Sequence, residues 1–274
     1  MGAGFVLSYA VLCLVQAALA GAPVHRNRQG RFSGGALLPA IALGLGVGLL
    51  RLFAAGPISL ALLATIGAPV LAASLGWVLG WRRSWPMLAT VAALYLIAWQ
   101  VHSPVGQAAG MAIIGLACLA IAAAFAAITP RRAIQTGLVL LALVDVILVW
   151  GTPQVGPAAV SLDRASLPAL SLPFLAPHPL PALQDATFGS ALMGWLDLLA
   201  PALLATTLVL GQRTRAAIAV GVAAGAWGLL FVVTPVLPAT VPIVVAMVVL
   251  ISPAADRPEH LASTRPVHLA RPRI

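Results

Sequence analysis

Six acidic side chains are spread through this 274-residue chain, and two of them fall where an acid costs most. Asp145 lies in LLALVDVILVW and Asp197 in ALMGWLDLLAPALLA, both long apolar runs. Asp163 and Asp185 lie in a proline-rich connector, and Asp256 and Glu259 in a basic tail. An ionised carboxylate is expensive in hydrocarbon, so an acid kept there marks a functional candidate. Two on neighbouring segments can form an aspartyl dyad. Close carboxylates cannot both ionise easily, so they share a proton and titrate as a unit. One then acts as base on a water while the other, protonated, polarises a peptide carbonyl. This is general acid–base hydrolysis, and it calls for no metal and no cofactor.

Composition sets where this chemistry would take place. The chain is 61% hydrophobic and 8% charged, far below the quarter charged of a soluble domain. It has no lysine, so its net charge of +9 rests on arginine. The arginines sit in short clusters between oily segments rather than along one face, which excludes a nucleic-acid partner and points to a lipid bilayer. Cys13 and Cys118 lie in apolar runs and read as small packing residues. His25, His102, His178, His260 and His268 lack metal-ligand spacing. The GLGVG of Gly44, Gly46 and Gly48 reads as close helix packing, not a nucleotide loop.

The elements that must position the two acids are membrane helices. The fold class expected is all-α: a polytopic membrane domain over 1–252, with nine spans of roughly 20 residues each. They fall near 3–20, 36–54, 57–80, 86–102, 107–128, 133–151, 187–210, 216–233 and 237–252. The first has a second reading as a cleaved signal peptide, since ALAGA follows it, but it lacks a positive n-region. Alternate connectors hold Arg26, Arg28 and Arg31, then Arg82 and Arg83, then Arg131 and Arg132, then Arg213 and Arg215. The intervening ones hold only Arg51 and Arg164. Arginine-rich short loops stay cytoplasmic, so the N-terminus is expected outside and the C-terminus inside. The expected location is the plasma membrane of a bacterium.

Asp145 then lies about 9 Å from the outer end of the sixth span, and Asp197 about 15 Å from the outer start of the seventh. Both carboxylates fit one level in the outer half of the bilayer, on antiparallel neighbours. The connector 152–186 joins them on the outside. Its seven prolines, from Pro153 to Pro181, preclude a continuous helix. It reads as a gate, as an edge to which an unwound substrate adds a strand, or as a tether. The tail 253–274 reads as a cytoplasmic basic segment lying near anionic lipid.

Three segments resemble the signal peptide peptidases, a family of intramembrane aspartyl proteases that also includes the presenilins. VDVILVWGTP, from Val144 to Pro153, resembles the region around that family's first catalytic Asp, with Trp150, Gly151 and Thr152 as the aromatic-Gly-Thr ending. MGWLDLLAPA resembles the GxGD region: Gly194 matches the first glycine, Asp197 the catalytic Asp, and Pro201 the later proline. VLPATVP resembles the Pro-Ala-Leu element opening the ninth span, with Pro238, Ala239 and Thr240. The resemblance implies nine spans, catalysis by Asp145 and Asp197, and site shaping by Gly194, Pro238, Ala239 and Thr240. It implies membrane-protein or signal-peptide substrates, cut within or near a transmembrane segment. Val144 stands where the family has tyrosine, Leu196 where it has glycine, and Thr240 where it has leucine. A leucine at 196 is expected to crowd the neighbouring Asp. The alternatives are a non-catalytic relative or a proton-coupled small-solute transporter using the same two acids; a prepilin-peptidase-like enzyme is a third.

Overall fold

In hydrocarbon no water satisfies backbone N–H and C=O groups, so each apolar run must close its hydrogen bonds within itself. That dictates helices, and helices dominate this protein. The computed structural model describes residues 2–24, 63–79, 84–151, 181, 183 and 185–251. The expected second span at 36–54, the tail 253–274 and nearly all of the 152–186 connector lie outside the described residues.

Helix α1 is Ala3–Ala20. A π-helical turn, Leu63–Gly67, leads into α2, Ala68–Leu79. Helix α3 is Ser84–Gln100 and α4 is Pro104–Ile128. Ser103 caps α4 by accepting the Val105 N–H at 3.3 Å, and Pro104 occupies the first turn, where an N–H is not needed. Helix α5 is Arg131–Gly151. A β-hairpin follows, β1 at Asp185–Phe188 and β2 at Ala191–Gly194. Helix α6, Trp195–Thr207, starts directly from β2. Helix α7 is Arg213–Trp227, extended by a 3-10 segment, Gly228–Val232. Helix α8 is Val241–Ile251.

Among the described residues, four helical segments are long and apolar enough to cross a membrane: Ala3–Ala20, Pro104–Ile128, Arg131–Gly151 and Arg213–Val232. The seventh and ninth expected spans come out shorter. Residues 187–194 are not helical, so the span read as 187–210 becomes a 13-residue helix with a hairpin before it. The expected all-α class is corrected: the described residues are mostly helical and include a two-stranded sheet. Burial alternates along β2: Ala191 and Met193 inward, Leu192 outward. That period of two belongs to a strand, and the uniformly apolar composition hides it. Gly189, in the two-residue turn, has φ +56°, a conformation glycine adopts without Cβ strain. In the ninth span, residues 237–240 form an extended entry and turn, because Pro238 has no N–H to give a helix.

Helix α6 is the axis of the packing. It touches α1, α4, α5, α7 and α8. Leu198, Ala202, Leu204 and Ala205 are fully buried there. Small residues let neighbours approach, as membrane helix pairs require; Gly221 of α7 lies against Ala17 of α1. The two helices run antiparallel: Phe5 stacks edge-on against Phe231, and the Tyr9 hydroxyl donates to the Ala224 carbonyl at 3.0 Å. Apolar side chains also cover the outside of the bundle. Val139, Leu140, Leu143, Val144, Ile147 and Leu148 of α5 are all exposed. A continuous apolar exterior of this kind suits lipid, not water.

Candidate functional site

Helix α5 packs on α6 and α8. Asp145 is its one acid and is turned to the packed side, half-buried. Its partner is the turn before α8. The Thr240 hydroxyl donates to Asp145 Oδ2 at 2.6 Å, and the Thr240 backbone N–H donates to the same oxygen at 3.2 Å. Thr240 also accepts the Ile243 and Val244 N–H groups through its carbonyl and so starts α8. Pro238 and Thr240 are fully buried, and Ala239 packs on the main core. The third motif is therefore an interior turn in direct contact with Asp145. Of the open alternatives for Thr240, the bond to an aspartate is the one formed.

Asp197 sits at the third position of α6. Its Oδ2 accepts the Gly194 N–H at 3.0 Å, which closes the helix start against the end of β2. A Cβ added at Gly194 would lie 3.3 Å from that oxygen, so glycine gives the carboxylate its room. Leu196 does not crowd Asp197 as the sequence suggested. Its side chain is 54% exposed and points out of the bundle.

This first turn starts deep within the bundle. The Asp197 backbone carbonyl accepts the Gln16 Nε2–H at 3.1 Å, and Gln16 lies about 20 Å along α1 from Ala3. The Cys118 thiol of α4 points at the Trp195 carbonyl at 3.8 Å. Helix α6 therefore begins inside the bundle, and the hairpin leads into it. Trp150 near the end of α5 meets Trp227 at the end of α7 at 6.3 Å. Helices α5 and α6 pack directly, so Asp145 and Asp197 stand on neighbouring helices. Asp185 starts β1, opposite Gly194.

The hairpin is tied at its tip. The Gly189 N–H donates to Gln107 Oε1 at 2.8 Å, and the Ser190 N–H to Ser8 Oγ at 3.3 Å. Beside β1 lies an open cavity of about 310 Å³, whose lining includes His102, Gln107, Met111, Leu183, Asp185 and Thr187. It contains neither Asp145 nor Asp197. Among the described residues no group of three His, Cys, Asp or Glu side chains is placed to hold a metal ion.

The structure thus pairs Asp197 with Gly194 and Asp145 with Thr240 of the turn that also holds Pro238 and Ala239, on helices that pack together. Sequence reading missed Gln16 and the approach of Asp185. Gln16 carried a signal, as an amide far inside an apolar span. Asp185 carried none, because only the strand register puts it opposite Gly194. Comparison with family models, with curated proteins and with solved structures returned no match.

Proposed function

We propose that this protein is an intramembrane aspartyl protease, with Asp145 and Asp197 as its catalytic pair. One observation supports the reading: two acids stand on neighbouring, directly packed helices of an apolar bundle, each with one oxygen held by a neighbouring backbone N–H. Held this way, neither carboxylate has to reorganise before reaction. One removes a proton from water, whose oxygen attacks the peptide carbonyl carbon. The other donates to the carbonyl oxygen, and collapse of the tetrahedral species sends a proton to the leaving amine. The substrate is a transmembrane segment or signal peptide that unwinds locally. The two-stranded hairpin has outer edges to which such an unwound stretch can add as a strand. The resemblance in three motifs points the same way.

Proton-coupled transport would need a path from the acids to both faces. Among the described residues, Leu198, Ala202, Leu204 and Ala205 of α6 beyond Asp197 are fully buried. Outward orientation of the hairpin end follows from the arginines. Arg131 and Arg132 start α5 and Arg213 starts α7, at the opposite end of the bundle. The test is purified protein in liposomes with a helical reporter peptide, products identified by mass spectrometry. Cleavage inside the reporter's apolar segment is the expected result. Intact reporter together with proton flux on addition of small solutes would replace this reading with transport.

A further inference from the structure

Gln16 is an unusual residue to find where it is. It is completely buried on α1, and its Oε1 has no hydrogen-bond partner among the described residues. A buried amide left half-satisfied carries a desolvation penalty, so its other half must do something. Its Nε2 donates to the backbone carbonyl of Asp197 at 3.1 Å. In a regular helix that carbonyl would accept the N–H of the residue four further on. That residue is Pro201, inside α6, and proline has no N–H. Its ring also presses on the carbonyl four residues back, which is again that of Asp197. The carbonyl is thereby freed from the helix at the residue that bears the acid, and the donor that meets it comes from α1.

We infer that Gln16 is a positioning residue: it replaces the helical hydrogen bond that Pro201 removes, and so fixes the first turn of α6 and the direction of the Asp197 carboxylate. The inference rests on Asp197 being catalytic for its functional meaning, but the contact itself does not. Three constraints then converge on one turn. Gly194 N–H holds the side chain, Gln16 holds the backbone, and Cys118 approaches the carbonyl of Trp195. Without the Gln16 donor, an unpaired carbonyl in an apolar interior would rotate to seek another partner and carry the carboxylate with it.

The test is a double-mutant cycle in the full-length protein, read both as reporter cleavage in liposomes and as thermal midpoint in detergent. Gln16→Leu keeps the volume and removes the donor. Pro201→Ala restores an N–H that can bond the Asp197 carbonyl within α6. Gln16→Leu alone is expected to lower turnover at least tenfold, as a small misplacement of a reacting group does. In the Pro201→Ala background the same substitution should cost less than about threefold, because the carbonyl no longer depends on α1. Equal losses in both backgrounds would overturn the inference. If the wild-type protein cleaves nothing, the protease reading fails, and the cycle is then read in thermal midpoint. Coupling between the two sites still upholds the Gln16 contact, and additivity refutes it.

Discussion

Thr240 holds Asp145 through its hydroxyl and its backbone N–H, both on one carboxylate oxygen. A hydrogen bond to a charged group contributes roughly 1.5–3 kcal/mol. Thr240→Val keeps the branched shape and deletes the hydroxyl, so turnover of a reporter peptide should fall about tenfold or more. Thr240→Ser should stay close to wild type; equal activity in all three would mean the bond does not serve the site. Gly194→Ala puts a methyl 3.3 Å from Asp197 Oδ2. It should reduce turnover about fivefold or more while the thermal midpoint holds, since only the carboxylate must shift. The two acids were easy to single out in the sequence, because acids are rare in an apolar run, and the contact of Asp145 with the Pro-Ala-Thr turn adds a partner that local pattern alone did not state. Gln16 was not legible, although the run containing it was. Its role depends on a carbonyl 181 residues away and on a proline four residues beyond that, and no local pattern states such a pairing.

Among the elements, the hairpin is the part that sequence reading did not find. Residues 187–194 continue the oily composition of α6, so a long helix seemed to start at Thr187. What decides against it is the turn at Gly189 and the alternating burial of Ala191, Leu192 and Met193. The consequence is structural: the interior start of α6 needs a short extended segment to reach it, and a helix in that place would move Asp197 off its level. Gly189→Val forces a branched side chain into φ +56° and toward Ser8 Oγ. A left-handed residue with a Cβ costs about 1–2 kcal/mol before any clash. The thermal midpoint should drop by about 3–8 °C. Gly137→Ala, where an added Cβ meets open space on α5, is the control and should not lower it. A Gly189→Val midpoint equal to wild type would show that the tip is not held as described.

Over the whole molecule, charge and packing share one polarity. Among the described residues Asp185 starts the hairpin, and Arg131, Arg132, Arg213 and Arg215 gather at the opposite end of the bundle. Arg213 also closes the α1 terminus there, donating to the Val24 carbonyl at 3.0 Å. Helices α1 and α7 run antiparallel to each other, and the alternating arginines predict which end of the pair lies outside. Cysteine labelling tests the sidedness, in a background with Cys13 and Cys118 replaced by alanine. Val233→Cys, at an 84% exposed position beyond the 3-10 segment, should label from outside, and Thr214→Cys only after permeabilisation. The reverse pattern would invert the protein.

The central claim is that Asp145 and Asp197 act together on one peptide bond. The most direct measurement compares reporter cleavage in liposomes by the wild-type protein, Asp145→Asn and Asp197→Asn, at matched protein amounts and matched thermal midpoints. An amide keeps the shape of the carboxylate but can neither take nor share the proton. The account predicts that each single substitution abolishes cleavage. Either variant retaining more than about a tenth of wild-type turnover would contradict it, since losing a paired acid–base group costs 10²-fold or more.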